Sequence, residues 1–349
     1  MVEFGQHIIN MLILGSTYAL LGIGLTLIFG IMRIVNFAHG ELYAFGAYFV
    51  YLAAMMLGIN FFIALLLAIA SGVALAIPYD PADPLNSVAA MLLANPAAAF
   101  FRNLHYWSAQ AFVVLSLVHI WDHVRRRDAR PLRVGVCLRV CLSVPAIGLV
   151  AWSGFVLKGD VEAWQALRVV STTIEDLPVV GLPLARALFG ADERLQLLYV
   201  HHVATFTLFV WLVAVEHGRV LWPRASAALA VLVPASLLAL WVSPMLHDGL
   251  SAVVKGPWYF VGLQEAFHWS PWPRLVVFAA LMPLVALFAW RWMGARWRHR
   301  TAYGLLAVTA VYASLTGVAW LCRGPNWAWT DAWRTAPPSL AMGGLNRMP

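Results

Sequence analysis

The sequence predicts an all-α integral membrane protein of about nine transmembrane helices, and three observations carry that prediction. Of 349 residues, 62% are hydrophobic and 11% charged, which is more apolar surface than a soluble chain of this size could bury. The apolar residues fall in runs long enough to cross ~30 Å of hydrocarbon. The cationic residues behind the formal net charge of +7 gather in short loops between those runs, as topology signals do.

Taken in order, the spans are expected at about 8–30, 41–57, 60–78, 103–124, 134–157, 195–217, 225–243, 273–293 and 302–322. Met1-Val2-Glu3 lacks a basic n-region and the first run is long enough to stay in the bilayer, so no cleaved leader is expected. The loop after the fourth span carries Arg125, Arg126, Arg127, Arg130 and Arg133. Arg219 and Arg224 follow the sixth, and Arg296, Arg298 and Arg300 the eighth. Alternation puts these three loops on one face, which is then cytoplasmic. The opposite loops, 79–101, 158–194 and 244–272, are longer and hold most of the acids, prolines and tryptophans. Charge therefore reads as topology, and no nucleic-acid partner is expected. The three cysteines, Cys137, Cys141 and Cys322, include no Cys-x-x-Cys. That leaves no support for a disulfide framework, a zinc ribbon or c-type haem attachment by that motif.

Four histidines sit inside two of the apolar runs. His105 and His119 are 14 residues apart, which on an α-helix is roughly 21 Å with an offset of about 40°. His202 and His217 are 15 apart, about 22 Å with an offset near 60°. Imidazole in a bilayer core is costly and marks function. Two facing helices of this kind could hold two metal centres across the membrane, each gripped by one imidazole from each helix. His201 is the rival to His202, but its spacing of 16 to His217 turns it about 160° away.

Residues 15–30, Gly-Ser-Thr-Tyr-Ala-Leu-Leu-Gly-Ile-Gly-Leu-Thr-Leu-Ile-Phe-Gly, and the stretch Arg33-Ile34-Val35-Asn36-Phe37-Ala38-His39-Gly40-Glu41-Leu42 resemble the start of the branched-chain amino acid ABC-transporter permease. The likeness covers about residues 1–70. The further spans and coupling helix such a permease needs are not evident, so the reading is a two-helix hairpin acquired by fusion that contributes no ligand.

From about Gly58 to Trp327 the chain resembles cytochrome b of the quinol-oxidising cytochrome bc complexes, and the two likenesses overlap through the third span. The residues that carry it are Gly58 and Gly72, 14 apart; Arg102-Asn103-Leu104-His105; Gly154-Phe155-Val156-Leu157; Leu198-Tyr199-Val200-His201-His202; Gly256-Pro257-Trp258-Tyr259-Phe260; and Arg323-Gly324-Pro325-Asn326-Trp327. The resemblance implies two b-type haems. His105 and His202 would hold the one on the outer side, and His119 and His217 the one on the cytoplasmic side. The two glycines would let the macrocycles approach the backbone, and Arg102 would pair with a propionate, or else snorkel at the interface. Two relays ~20 Å apart suit a bilayer of this thickness. It further implies quinone as substrate, with Trp258 and Tyr259 lining its pocket. A Rieske-type iron–sulfur protein and a c-type cytochrome are the implied partners, in a multi-subunit, dimeric assembly of a bacterial-type inner membrane.

The departures are specific. Pro257 stands where the family has a proton-accepting glutamate, and Lys158-Gly159 where it has Pro-Trp. Glu265 is then the expected substitute base, with Glu162 also near in sequence; a base must stand by the quinol hydroxyl. Met56 stands where chloroplast-type relatives attach an extra haem, Asp122 replaces a common arginine, and an eighth cytochrome helix is missing. The expected organisation is a permease-like hairpin (1–58), a four-helix di-haem bundle (59–222), a three-helix module (223–327) and a tail (328–349). Alternative readings are a membrane-anchor haem subunit of another quinone-linked oxidoreductase, or a branched-chain amino acid ABC-transporter permease.

Overall fold

The computed structural model describes residues 61–125, 134–190, 194–217, 225–247, 249 and 251–330. The first two expected spans, Met56, Gly58, most of the loop arginines and the tail from 331 lie outside the described residues. Leu52–Ala328 form one compact unit; Met1–Tyr51 and Trp329–Pro349 group separately and are almost wholly outside the described residues.

Every regular element among the described residues is helical. α1 (Phe61–Ala76) is followed by α2 (Pro84–Ala94), α3 (Pro96–Arg125), α4 (Val134–Val156), α5 (Val161–Glu175), α6 (Gly181–Phe189) and α7 (Leu195–Val200). A π-turn (His201–Phe206) leads into α8 (Thr207–His217). Then come α9 (Ala225–Trp241), α10 (Trp258–Trp269), α11 (Pro273–Ala289) and α12 (Ala295–Cys322), with short 3₁₀ turns at Trp290–Trp292 and Pro325–Trp327. All seven expected spans within the described residues have a matching helix or helix pair. Val134–Val156, Leu195–Glu216, Pro273–Trp292 and Ala295–Cys322 are each long and apolar enough to cross a membrane; Phe62–Ala76 and Ala228–Trp241 are shorter apolar helices. The Pro273–Trp292 span buries none of its apolar window, so the bilayer is its natural solvent.

The connections 79–101, 158–194 and 244–272 are not irregular: they hold α2, α5, α6 and α10. α2 meets α3 at a bend of 117°. The bend falls at Asn95-Pro96, where the Asn95 side chain caps α3 by accepting from Ala98 N (3.1 Å) and Pro96 takes the first helical position, where no amide is needed. Asp160 does the same for α5, accepting from Ala163 N (3.0 Å). Gly159, just before it, has φ +72° and packs so close to Pro84 that a Cβ would fall 2.7 Å from its Cγ. α3 packs on α1 and α9, α4 on the π-turn and α8, and α10 on α12. At the other end of α4 an ion pair joins Arg139 to Glu216 on α8 (2.6 Å).

Candidate functional site

The faces of α3 are divided between two tasks. On one side Asn103 Nδ2 donates to the Ala239 carbonyl (3.1 Å), Trp107 Nε1 to that of Val242 (2.8 Å) and Arg102 Nη1 to that of Pro244 (2.7 Å). This face thus satisfies carbonyls that the end of α9 leaves without helical partners. His105 lies about 200° round the helix from Asn103 and turns the other way, to α1.

There His105 Nδ1 is 2.8 Å from the Ala68 carbonyl. A carbonyl only accepts, so in the neutral ring Nδ1 carries the proton and Nε2 keeps its lone pair. A Cβ on Gly72 would lie 3.0 Å from His105 Cε1, so Gly72 makes room for the imidazole itself. His202 repeats the arrangement on α4. Its Nδ1 is 2.9 Å from Ser153 Oγ, and that hydroxyl donates to the Val150 carbonyl (3.1 Å). With its proton committed to Val150, Ser153 accepts from His202, which again frees Nε2. A Cβ on Gly154 would fall 2.9 Å from His202 Cε1.

The two rings stand with centroids 6.2 Å apart and planes at 77°. Imidazoles bound to opposite sides of one metal by bonds of ~2 Å have centroids about 6 Å apart, so the spacing fits one ion between them. No group of three or more His, Cys, Asp or Glu among the described residues could hold a bare metal ion. Two imidazoles alone suit a metal that brings its own equatorial ligands, as haem iron does. His201 points elsewhere: Nε2 is 2.9 Å from the Ala187 carbonyl, Nδ1 3.0 Å from Thr205 Oγ1, and the ring stacks on Phe206.

His119 follows His105 on the same unbroken helix, and His217 ends α8; the His217 side chain lies outside the described residues. Arg102 sits in the N-terminal part of α3, with the Pro244 carbonyl as its partner.

α10 clamps the two helices that position the histidine couple. Trp258 Nε1 donates to Gln110 Oε1 on α3 (2.7 Å), and the Tyr259 hydroxyl donates to the Ala151 carbonyl on α4 (2.7 Å). Next to Ala151, the buried Trp152 Nε1 has no hydrogen-bond partner among the described residues, in a cluster with Phe260, Tyr259 and Phe155.

Glu265 is not brought to that cluster. It lies about 120° round α10 from Tyr259 and is fully buried. Arg323 Nη2 donates to its Oε1 at 2.7 Å and Arg323 Nε reaches both oxygens, while Trp269 Nε1 (2.5 Å) and Trp327 Nε1 (2.6 Å) complete the cage. Burial alone would raise this carboxyl, but the donated hydrogen bonds outweigh it and hold Glu265 below the usual carboxylate range. A carboxylate so saturated is a poor proton acceptor, and the geometry does not support the expected role as substitute base. Sequence reasoning placed Arg323 only at the end of the last helix; its carboxylate partner is 58 residues away in sequence, and no local pattern signals the pair. Glu162 is also engaged, by Lys158 (2.5 Å), whose ammonium contacts buried Asp160 as well (2.9 Å). Burial pushes the nearby Lys255 ammonium down to about 8; its Nζ donates to the Trp320 carbonyl (2.8 Å).

Fold and geometry together define a helical membrane protein with a cross-helix pair of imidazoles held between α3 and the π-turn. Comparison with known proteins gives two resemblances in one chain. A family model described as the permease component of the branched-chain amino acid transport system matches residues 7–80. The high-affinity branched-chain amino acid permease protein LivH of Escherichia coli (strain K12) is 52% identical over 60 residues, 16% of this chain and 20% of the relative. Its counterpart BraD of Pseudomonas aeruginosa is 48% identical over 52 residues, 15% and 17% of the two chains. The chain therefore spans only a fifth or less of these permeases. The family model runs through α1, the helix that carries Ala68 and Gly72.

The second resemblance is to cytochrome b. The cytochrome b subunit of the Corynebacterium efficiens cytochrome bc1 complex is 27% identical over 128 residues, 35% of this chain and 24% of the relative. Cytochrome b6 of a Desmonostoc strain is 25% identical over 154 residues, 43% and 71%. A chain in the solved structure of a hyperthermophilic respiratory Complex III superposes with a TM-score of 0.57 at 15% identity, over 77% of this chain and 86% of that one. At that identity the match speaks for the fold, a helical membrane fold of the cytochrome b type.

Proposed function

We propose that this chain carries electrons across the membrane between a quinone pool and a redox partner through two b-type haems, as the cytochrome b subunit of a quinol:cytochrome c reductase-like complex. The observation that carries the reading is the His105–His202 couple, two imidazoles at iron-spanning separation with both Nδ1 atoms fixed by acceptors and both Nε2 lone pairs left for a metal. His119 and His217 would hold a second haem toward the cytoplasmic side. A bound haem supplies one-electron chemistry between the ferric and ferrous states. The chain's part is to fix each ring's tautomer through Ala68 and Ser153, to give the rings room at Gly72 and Gly154, and to keep water away.

The unpartnered Trp152 N–H, in one cluster with Tyr259 and Phe260, is a buried donor that an acceptor such as a quinone carbonyl would satisfy. A Rieske-type iron–sulfur protein, a c-type cytochrome and a multi-subunit assembly belong to the same proposal, as do an inner-membrane location and the hairpin, bundle and module divisions. The caged Glu265 and the Lys158-Gly159 pair favour a second reading, a haem-bearing membrane anchor that does not oxidise quinol. Reduced quinone added to the purified protein in liposomes separates them. Reduction of both haems supports the first reading, and haems that only dithionite reduces support the second. ATP-driven amino-acid uptake with no haem would mean that the permease likeness governs.

A further inference from the structure

The two histidine spacings differ by one residue, 14 on α3 and 15 between His202 and His217. In uninterrupted α-helices these intervals end about 40° short of a whole turn and about 60° past one, a mismatch of roughly 100°. The π-turn at His201–Phe206 lies in the longer interval. A π-turn holds one residue more than the α-turn it replaces, so α8 leaves it in the phase of a helix one residue shorter. The backbone from His202 to His217 then turns through the same angle as that from His105 to His119.

We propose that the π-turn is a register device that brings both histidine couples onto one inner face; it rests on the two-couple reading above. Val203, Ala204 and Thr205 are exposed and Phe206 is buried, so the extra residue bulges away from the bundle. At the end of the wide turn the Thr207 hydroxyl donates back to the His202 carbonyl across five residues. The residue that absorbs the mismatch is thus held beside the ligand that needs it. Register here depends on residue count, not on residue identity.

The test compares the full-length wild-type protein with deletions of Ala204, of Val203 and of Leu117. The first two remove one residue from the π-turn; the third removes one from the uninterrupted α3 between His105 and His119. Haem per chain and the low-spin electron paramagnetic resonance signals are read, together with amide hydrogen exchange at 201–207, which needs no haem. Deletion of Ala204 or Val203 should keep the wild-type haem ratio and slow exchange at 201–207 as the turn becomes α-helical, and deletion of Leu117 should lose half the haem. Half-loss in both turn deletions, with the wild type fully loaded, overturns the device and leaves the haem reading standing. A wild type without haem overturns that reading instead; the exchange data then judge the turn, and unchanged rates in both deletions overturn it.

Discussion

Ser153 holds two partners at once, and the order of those bonds decides what His202 can do. Because its hydroxyl proton goes to Val150, it can only accept from His202 Nδ1. Ser153→Ala should therefore weaken haem binding roughly 10- to 100-fold, the usual effect of losing a ligand's orienting partner, as measured by titrating haem into apoprotein. Gly154→Val puts side-chain carbon where the His202 ring now lies and should abolish the outer site while leaving the inner one. Glu265 makes the opposite kind of claim, a charge held for stability. Glu265→Gln leaves the Arg323 guanidinium buried without its counter-charge and should cost about 3–5 kcal/mol, visible as a lower melting temperature. The pH dependence follows from the depressed carboxyl. Its contribution is present above the unfolded value of ~4.3 and lost as pH falls through the lower folded value. Wild-type stability should lose this pair's contribution only in acid below about pH 4.3, and the glutamine variant should lack that part of the acid response.

At the scale of the element, hydrocarbon thickness made the spans legible: it imposes a length that apolar runs report directly. The expected segment 134–157 and α4, Val134–Val156, agree for that reason. α2, α5, α6 and α10 were read as loops because they are short, bounded by proline, glycine or aspartate, and surrounded by tryptophan. The π-turn left no periodic signal, yet the 15-residue spacing set beside its 14-residue counterpart already contained it. α10 was legible as a motif and not as a clamp, since its partners Gln110 and Ala151 are distant in sequence. Tyr259→Phe removes the hydrogen bond to Ala151 and should cost on the order of 1 kcal/mol. It should also loosen α10 from α4, as read by faster amide exchange at 258–269.

Over the whole molecule, the permease likeness runs through α1, and the described bundle places that helix's Ala68 and Gly72 against His105. The site was legible as far as one helix's spacing could carry it. His105 and His202 were found from their spacing and motifs, but Ser153 and Arg323 act through contacts between elements that no local pattern reports. If residues 1–57 are a hairpin that supplies no ligand, a chain starting at Gly58 should retain the full haem content of the complete protein when both are isolated from membranes.

The central claim is that His105 and His202 close on one iron. The most direct measurement is the dithionite-reduced minus oxidised absorption spectrum of the purified chain, beside that of His105→Ala. The account predicts a b-type haem band whose amplitude falls by half in the variant. A colourless wild type, or a variant whose band is undiminished, would contradict it.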